Sequence, residues 1–299
     1  MVMIYSDSQE LTEFLKRKDL FIRFSNKDEA RILVTGQYQK EDYSKNHAFI
    51  IVPFTGLNGL DLGFINSKGI KVFNTQAHSK YVAERALALI FTLLGNIIPF
   101  DQGLRQGDWA NRNNQNRIPW VSLFGKRIGF FGYGAINQYL HQLLEPFNIQ
   151  GYVIDRGKDY PGLNKVNDLN QLVENSDVIV IAAPLSDETE SIFNHDILSK
   201  MQEKVLINVG RGPIVAEASL YHALKYKALK GYASDVWFDY PSGDRPKSPS
   251  IVPLESFSNV VFTPHNGGFT ENAMNDRFED IYLQITYILK GDLSRALNI

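Results

Sequence analysis

Two side chains, one glycine turn and one acid in this sequence carry the residue types that solution chemistry demands. Arg211, in Asn208-Val209-Gly210-Arg211-Gly212, follows the apolar run Val205 to Val209. It therefore falls at the carboxyl end of an expected buried strand, where open α/β sheets bind their ligands. Its planar fork suits the carboxylate or carbonyl of an α-oxo acid through paired charge-assisted hydrogen bonds, the alternative being a buried structural arginine. His265, between Pro264 and Gly267-Gly268, also follows an apolar run, Val260 to Thr263. An imidazole titrates near pH 6.5, so it can exchange a proton with an alcohol close to neutrality. A lone histidine is more often structural, and from the residues alone both readings stand.

The glycine turn is Gly132-Tyr133-Gly134-Ala135-Ile136-Asn137, entered from the apolar run Arg127 to Phe131 and followed by the helix-like stretch Gln138 to Leu144. Glycines at such a turn let the backbone approach a pyrophosphate, whose charge is met by the free N–H groups of the helix start. Asp155 closes the next expected strand roughly 20 residues on, where a carboxylate accepts hydrogen bonds from ribose hydroxyls and repels a 2′-phosphate. This pattern predicts NAD in preference to NADP. Asn137 stands where the third glycine of the fingerprint would be, so helix and sheet are expected to pack slightly further apart, and Arg156 offers some tolerance for a 2′-phosphate.

The elements that must position these groups read as a βαβ rhythm. Arg31 to Thr35, Phe49 to Phe54 and Lys71 to Asn74 are expected strands. Val82 to Ile98 is apolar on all sides, as a helix buried between domains or in a dimer contact would be. Gln102 to Trp120 is polar and Asn-rich, an expected irregular connection. Then Arg127 to Phe131, Gly151 to Ile154, Val178 to Ala182 and Val205 to Val209 alternate with helical patterns, the signature of a doubly wound parallel sheet. The amphipathic stretch Asn275 to Leu289 is an expected closing helix.

Composition narrows the partner. The chain has 299 residues, 44% hydrophobic and 21% charged, with a formal net charge of -2 and no cysteine. That is the profile of a folded protein long enough for two domains. Both signs of charge are scattered, so neither nucleic acid nor an anionic membrane is an expected partner, and the ligand is expected to be small. Without cysteine there is no disulfide, thiolate nucleophile or cysteine zinc site, and no metal site is expected. The acids Asp7, Glu10 and Glu13 do not suit a secretion signal, and the apolar runs are shorter than the roughly 20 residues of a spanning helix, so the expected compartment is the cytoplasm.

In order along the chain, the sequence resembles the D-isomer-specific 2-hydroxyacid dehydrogenases, which include phosphoglycerate, glycerate and hydroxypyruvate, D-lactate, formate and phosphite dehydrogenases. The resemblance rests on Gly56 to Asp61 with Gly69 to Asn74, Val82-Ala83-Glu84, Phe124-Gly125-Lys126, Ala183-Pro184-Leu185 through Thr189, Asn208 to Gly212, Ser234 to Trp237, and Thr263-Pro264-His265. It implies two α/β domains: a Rossmann NAD-binding domain, residues 79–268, inserted in a flavodoxin-like substrate domain, residues 1–78 and 269–299. It also implies a homodimer, with the Val82 helix region as a contact surface. The implied reaction is hydride transfer between nicotinamide and a small D-2-hydroxy or 2-oxo acid, as in glyoxylate or hydroxypyruvate reductase or phosphoglycerate dehydrogenase. Substrate is expected in the cleft between closing domains. Oxidation of formate or phosphite, or a non-catalytic NAD-sensing role on the same scaffold, are the alternatives.

Residue by residue, the resemblance makes His265 the general acid/base and Arg211 the anchor of the substrate carboxylate. Cofactor contacts are implied for Gly132, Tyr133, Gly134, Ala135, Ile136, Asp155, Arg156, Pro184, Thr189, Val209, Gly210 and Gly267, with Asp235 beside the nicotinamide. Leu57-Asn58-Gly59 matches the family's substrate loop, and His78 falls where relatives carry a small or amide side chain, either lining the pocket or serving only as a hinge. The largest departure lies in Asp235-Val236-Trp237-Phe238-Asp239-Tyr240-Pro241. Relatives place a glutamate before that proline, and its carboxylate supports the protonated histidine. Here Tyr240 takes the position and Asp239 precedes it. If Tyr240 faces His265, a lower histidine pKa and slower reduction at alkaline pH are expected; if a one-residue shift brings Asp239 in, the carboxylate partner returns.

Overall fold

The computed structural model describes residues 1–57, 59–113, 119–243 and 245–299. Its contacts divide the chain into two compact units, Met1–His78 with Phe269–Ile299, and Ser79–Gly268.

The first unit holds five parallel strands, β1 (Val2–Ser6), β2 (Ile22–Phe24), β3 (Ile32–Val34), β4 (Phe49–Val52) and β5 (Lys71–Asn74), in the order β2-β1-β3-β4-β5. This is the flavodoxin-like winding. β3 is buried throughout and β4 nearly so, as strands covered on both faces must be. One cover contains Leu11 and Leu15 with Phe278, Ile281, Ile285 and Ile288 of the helix Ala273–Leu289; the other contains Ile65 of the helix Leu62–Ser67. Ser8 starts the helix Gln9–Lys16, which carries Leu11 and Leu15, by accepting from Leu11 N, and Asp61 starts Leu62–Ser67 by accepting from Phe64 N, which satisfies donors that a helix start leaves without partners. Beyond the edge strand β5, Leu297 N donates to Val72 O at 2.8 Å.

The second unit holds seven parallel strands: β6 (Arg127–Phe131), β7 (Gln150–Ile154), β8 (Leu163–Val166), β9 (Val178–Ile181), β10 (Val205–Asn208), β11 (Gly231–Ser234) and β12 (Val260–Phe262). Their order is β12-β11-β10-β9-β6-β7-β8. From β6 the chain winds first toward β8 and then back past β6 to β12, so the topological switch lies between β6 and β9. In open sheets, ligands bind beyond the carboxyl ends of the strands at such a switch. Two apolar layers cover the sheet, one built on Leu172, Phe193, Leu206 and Leu220, the other on Ala86, Ile90, Leu140 and Ile207.

The expected long helix is broken. It runs Ser79–Leu94, stops at Gly95 and Asn96, whose φ of 53° is left-handed, and resumes as Ile97–Arg105. The connection Gln102 to Trp120 is therefore helical at its start and again over Ala110–Asn113, while 114–118 lie outside the described residues. No single helix among the described residues is long and apolar enough to cross a membrane.

Candidate active site at the carboxyl ends of β6 to β12

Gly132 turns the chain out of β6 at φ 84°, a backbone region that side chains disfavour. A Cβ there would also sit 2.9 Å from the Ala183 backbone. The loops after β6 and β9 therefore touch, and the turn leads into the helix Ala135–Leu144, whose N-terminus carries no side-chain cap. Its first N–H groups have no intrahelical acceptor, which fits a pyrophosphate. Tyr133 is braced from outside the turn: its hydroxyl meets His141 Nδ1 at 2.7 Å, and its ring meets Tyr160 edge-on at 5.7 Å. Burial lowers the His141 pKa, with Glu145 opposing the shift.

Asn137 does more than widen the packing. Fully buried, its Nδ2 donates to Gly132 O at 2.6 Å and to Val180 O at 3.3 Å. The amide ties the glycine turn to β9 in the position where a third glycine would only allow close approach.

Asp155 stands just past β7, its carboxylate accepting from Gly157 N at 2.9 Å, with Lys165 Nζ at 3.5 Å. Asp155 and Arg156 are both exposed. Val209 N donates to Ile181 O, and Gly210 N to Asn208 Oδ1, so these two shape the turn with their own N–H groups. Thr189 closes the loop after β9 by donating to Pro184 O at 2.8 Å and accepting from Ser186 N.

Arg211 follows in extended conformation, half-exposed, with Nη1 donating to Gly210 O at 2.7 Å. Asn208 Nδ2 donates to Arg211 O at 3.0 Å. Gly212 is obligatory: a Cβ there would overlap Trp237 O, so the Arg211 turn packs directly on the chain that leads to Tyr240.

Asp235 is 3% exposed, and its carboxylate accepts from Thr263 Oγ1 at 2.7 Å, Asn266 N at 3.2 Å and Gly267 N at 2.8 Å. All three partners flank His265, which sits at φ 57°. A left-handed non-glycine residue persists only where its surroundings over-determine it, and Asp235 supplies that determination. The resemblance put Asp235 beside the nicotinamide; its bonds are to the His265 loop.

Tyr240, 43% exposed, lies with its ring 5.4 Å from the His265 ring. Trp237 N donates to the Tyr240 hydroxyl at 3.0 Å. Asp239 is corrected as a partner of the histidine: it pairs with Lys247 at 2.7 Å and accepts from Tyr240 N, the lysine drawing it away and holding its pKa low. His265 is open to solvent on one side, yet shielding of the ring lowers its pKa; Asp235 opposes this and Arg211 adds to it. Burial raises the Tyr240 pKa, the Trp237 N–H and Arg211 pulling the other way. The arrangement sets an imidazole of lowered pKa near the Arg211 guanidinium.

In the first unit, Thr55 Oγ1 lies 3.2 Å from His78 Nε2, joining the segments that leave β4 and β5. Leu57 O accepts from Leu60 N, and Gly59 O from Tyr38 N and Gln39 Nε2. Asn58 lies outside the described residues. Sequence reasoning missed the roles of Lys165, Thr263 and the Asn137 amide. Lys165 could have been found only by recognising β8, whose residues Leu163-Asn164-Lys165-Val166 mix polar and apolar types as exposed edge strands do.

Comparison with known proteins identifies the family. Residues 87–267 match the family model described as D-isomer specific 2-hydroxyacid dehydrogenase, NAD binding domain. A glyoxylate reductase of Thermofilum pendens is 31% identical over 291 residues, 94% of this chain and 84% of that protein. A D-3-phosphoglycerate dehydrogenase of Methanocaldococcus jannaschii is 30% identical over 80% of this chain, which spans 45% of that relative's length. Among solved structures, D-lactate dehydrogenase from Aquifex aeolicus, complexed with NAD and lactic acid, aligns at TM-score 0.80 and 22% identity, over 98% of this chain and 97% of that one, a likeness of fold. The chain belongs to the D-isomer specific 2-hydroxyacid dehydrogenases.

Proposed function

We propose that this chain is an NAD-dependent oxidoreductase acting on a small D-2-hydroxy acid or its 2-oxo acid. The observation that carries the reading is the grouping of Arg211, Tyr240 and His265 at the strand ends that also carry the glycine turn, with His265 held in its left-handed conformation by the Asp235 contacts. Arg211 would grip the substrate carboxylate and fix the carbon that reacts. His265 would donate a proton to the substrate oxygen in reduction and remove it in oxidation. The N–H groups after Gly132 would hold the pyrophosphate of a dinucleotide and the Asp155 carboxylate its adenosine ribose, and the nicotinamide of that dinucleotide would supply or accept the hydride. The exposed Asp155 carboxylate supports NAD as the main cofactor. Substrate recognition by Leu57, Asn58, Gly59 and His78 belongs to the same proposal, as does a homodimer using the exposed apolar side chains Ile97 and Leu104, 54% and 49% exposed.

The test is NADH oxidation with glyoxylate, hydroxypyruvate or pyruvate. Turnover by the wild type and a fall of about 10³-fold in His265→Ala are expected for loss of a general acid. A His265→Ala protein as active as wild type would overturn the assignment.

A further inference from the structure

The carboxylate that should discriminate between the two nicotinamide dinucleotides is not alone. Val153 of β7 and Lys165 of β8 are register partners, and Asp155 lies two residues beyond Val153, so it points to the same face of the sheet. The pairing therefore brings the Lys165 ammonium to 3.5 Å from Asp155 Oδ1. Lys165 is held there by two further contacts: its Nζ donates to Lys158 O at 2.7 Å and lies 5.5 Å from the centre of the Tyr160 ring. Tyr160 is itself buried and packs against Tyr133 of the glycine turn. The lysine is thus part of the same built surface as the turn and not a free surface charge. Arg156 and Lys158, both exposed, add two more cations to the loop that Lys165 closes.

In the usual logic of this fold, an acid after the second strand accepts the ribose hydroxyls and repels a 2′-phosphate. That repulsion requires an uncompensated charge. Here one ammonium lies 3.5 Å from a carboxylate oxygen, it has three donors of which one is used on Lys158 O, and two further cations lie within the same loop. We propose that Lys165 makes this ribose site accept a 2′-phosphate, so that the chain binds NADP(H) as well as NAD(H). The inference rests on the dinucleotide reading of the second unit and identifies the residue that sets its cofactor range. Asp155 remains the acceptor for the ribose hydroxyls when no phosphate is present. When a phosphate is present, the ammonium shifts from carboxylate to phosphate at little cost, because an exposed ion pair of this kind is weak.

The experiment is calorimetric titration of the full chain with 5′-AMP and with adenosine 2′,5′-bisphosphate, which differ by the 2′-phosphate alone and need no catalysis. For the wild type, the two dissociation constants are expected to agree within about tenfold. Lys165→Met keeps the aliphatic stem over Tyr160 and removes the charge. It is expected to shift the ratio of the two constants by about tenfold against the bisphosphate, the worth of one charge contact near a protein surface. Asp155→Asn is expected to shift the ratio the other way. An unchanged ratio in Lys165→Met would overturn the proposal, as would a wild type that binds 5′-AMP but excludes the bisphosphate. A wild type that binds neither nucleotide would overturn the dinucleotide site itself, and the role of Lys165 with it.

Discussion

Asp155 and Asp235 occupy comparable places, each the first residue past a parallel strand of the same sheet, and they have opposite lives. Asp235 is buried and its carboxylate is filled by Thr263, Asn266 and Gly267 of its own chain. Asp155 is exposed and accepts one backbone N–H, with a lysine nearby. A carboxylate saturated from within builds geometry, whereas one left open reads a ligand. The same division separates Asn137, whose amide is spent on the glycine turn, from Tyr240, whose ring faces outward beside His265.

Replacing each acid tests that division most severely. Asp235→Ala would leave the Asn266 and Gly267 N–H groups beside His265 without that acceptor and Thr263 Oγ1 with Ser234 O alone, and unfolding free energy is expected to fall by about 3 kcal/mol. With the loop displaced, turnover should fall by about 10²-fold. Asp155→Ala should change stability by less than about 0.5 kcal/mol, as surface replacements do. Denaturant unfolding of both variants decides the matter, and comparable losses would break the comparison.

A smaller effect is expected at Asn137. Its replacement by alanine removes two buried hydrogen bonds that pin Gly132 to β9, at a cost of about 2 kcal/mol. Unfolding free energy measures this directly, and a value near zero would mean that the amide only fills space.

The smallest effect concerns the outward pair. Shielding of its ring, with Arg211 adding to the effect and Asp235 opposing it, holds the His265 pKa below its ordinary value, and Tyr240 offers no carboxylate to raise it. Reduction uses the imidazolium, so its rate should fall as pH rises through that lowered pKa. Tyr240→Glu supplies a carboxylate that favours the charged ring, and the midpoint of the pH–rate profile for reduction should move up by about one unit. A midpoint that stays fixed would show that Tyr240 does not govern the histidine.

How much of this was legible follows the same line between inner and outer groups. β6, β9 and β10 declare themselves as continuous apolar runs because both of their faces are buried, and the turns that follow them bring Gly132 and Arg211 into view. β8 and β11 do not. Lys165 and Asn164 make β8 look like a loop. β11 is Gly231-Tyr232-Ala233-Ser234, poor in branched side chains because Gly231 lies against Leu93 and Asn259 O, and close packing there leaves no room for them. The partnership of Asp155 with Lys165 depends on β7–β8 register, which no local pattern encodes. That Tyr240 takes the glutamate's place was readable by position. That its hydroxyl turns back to Trp237 N was not, because a three-residue turn decides it. The end of the long apolar helix at Gly95 and Asn96 was signalled by the glycine, but the apolar residues Ile97 and Ile98 beyond it obscured the break.

The return of Leu297 to Val72 has a consequence outside catalysis. β5 closes one side of its sheet, and such a strand presents a row of unpaired N–H and C=O groups that can recruit a second chain. The bond from Leu297 N occupies one of those carbonyls, and Leu297 packs on the core beneath. The closing segment therefore doubles as a guard on solubility: a chain that lost it would keep every residue of the chemical site and gain a surface prone to self-assembly.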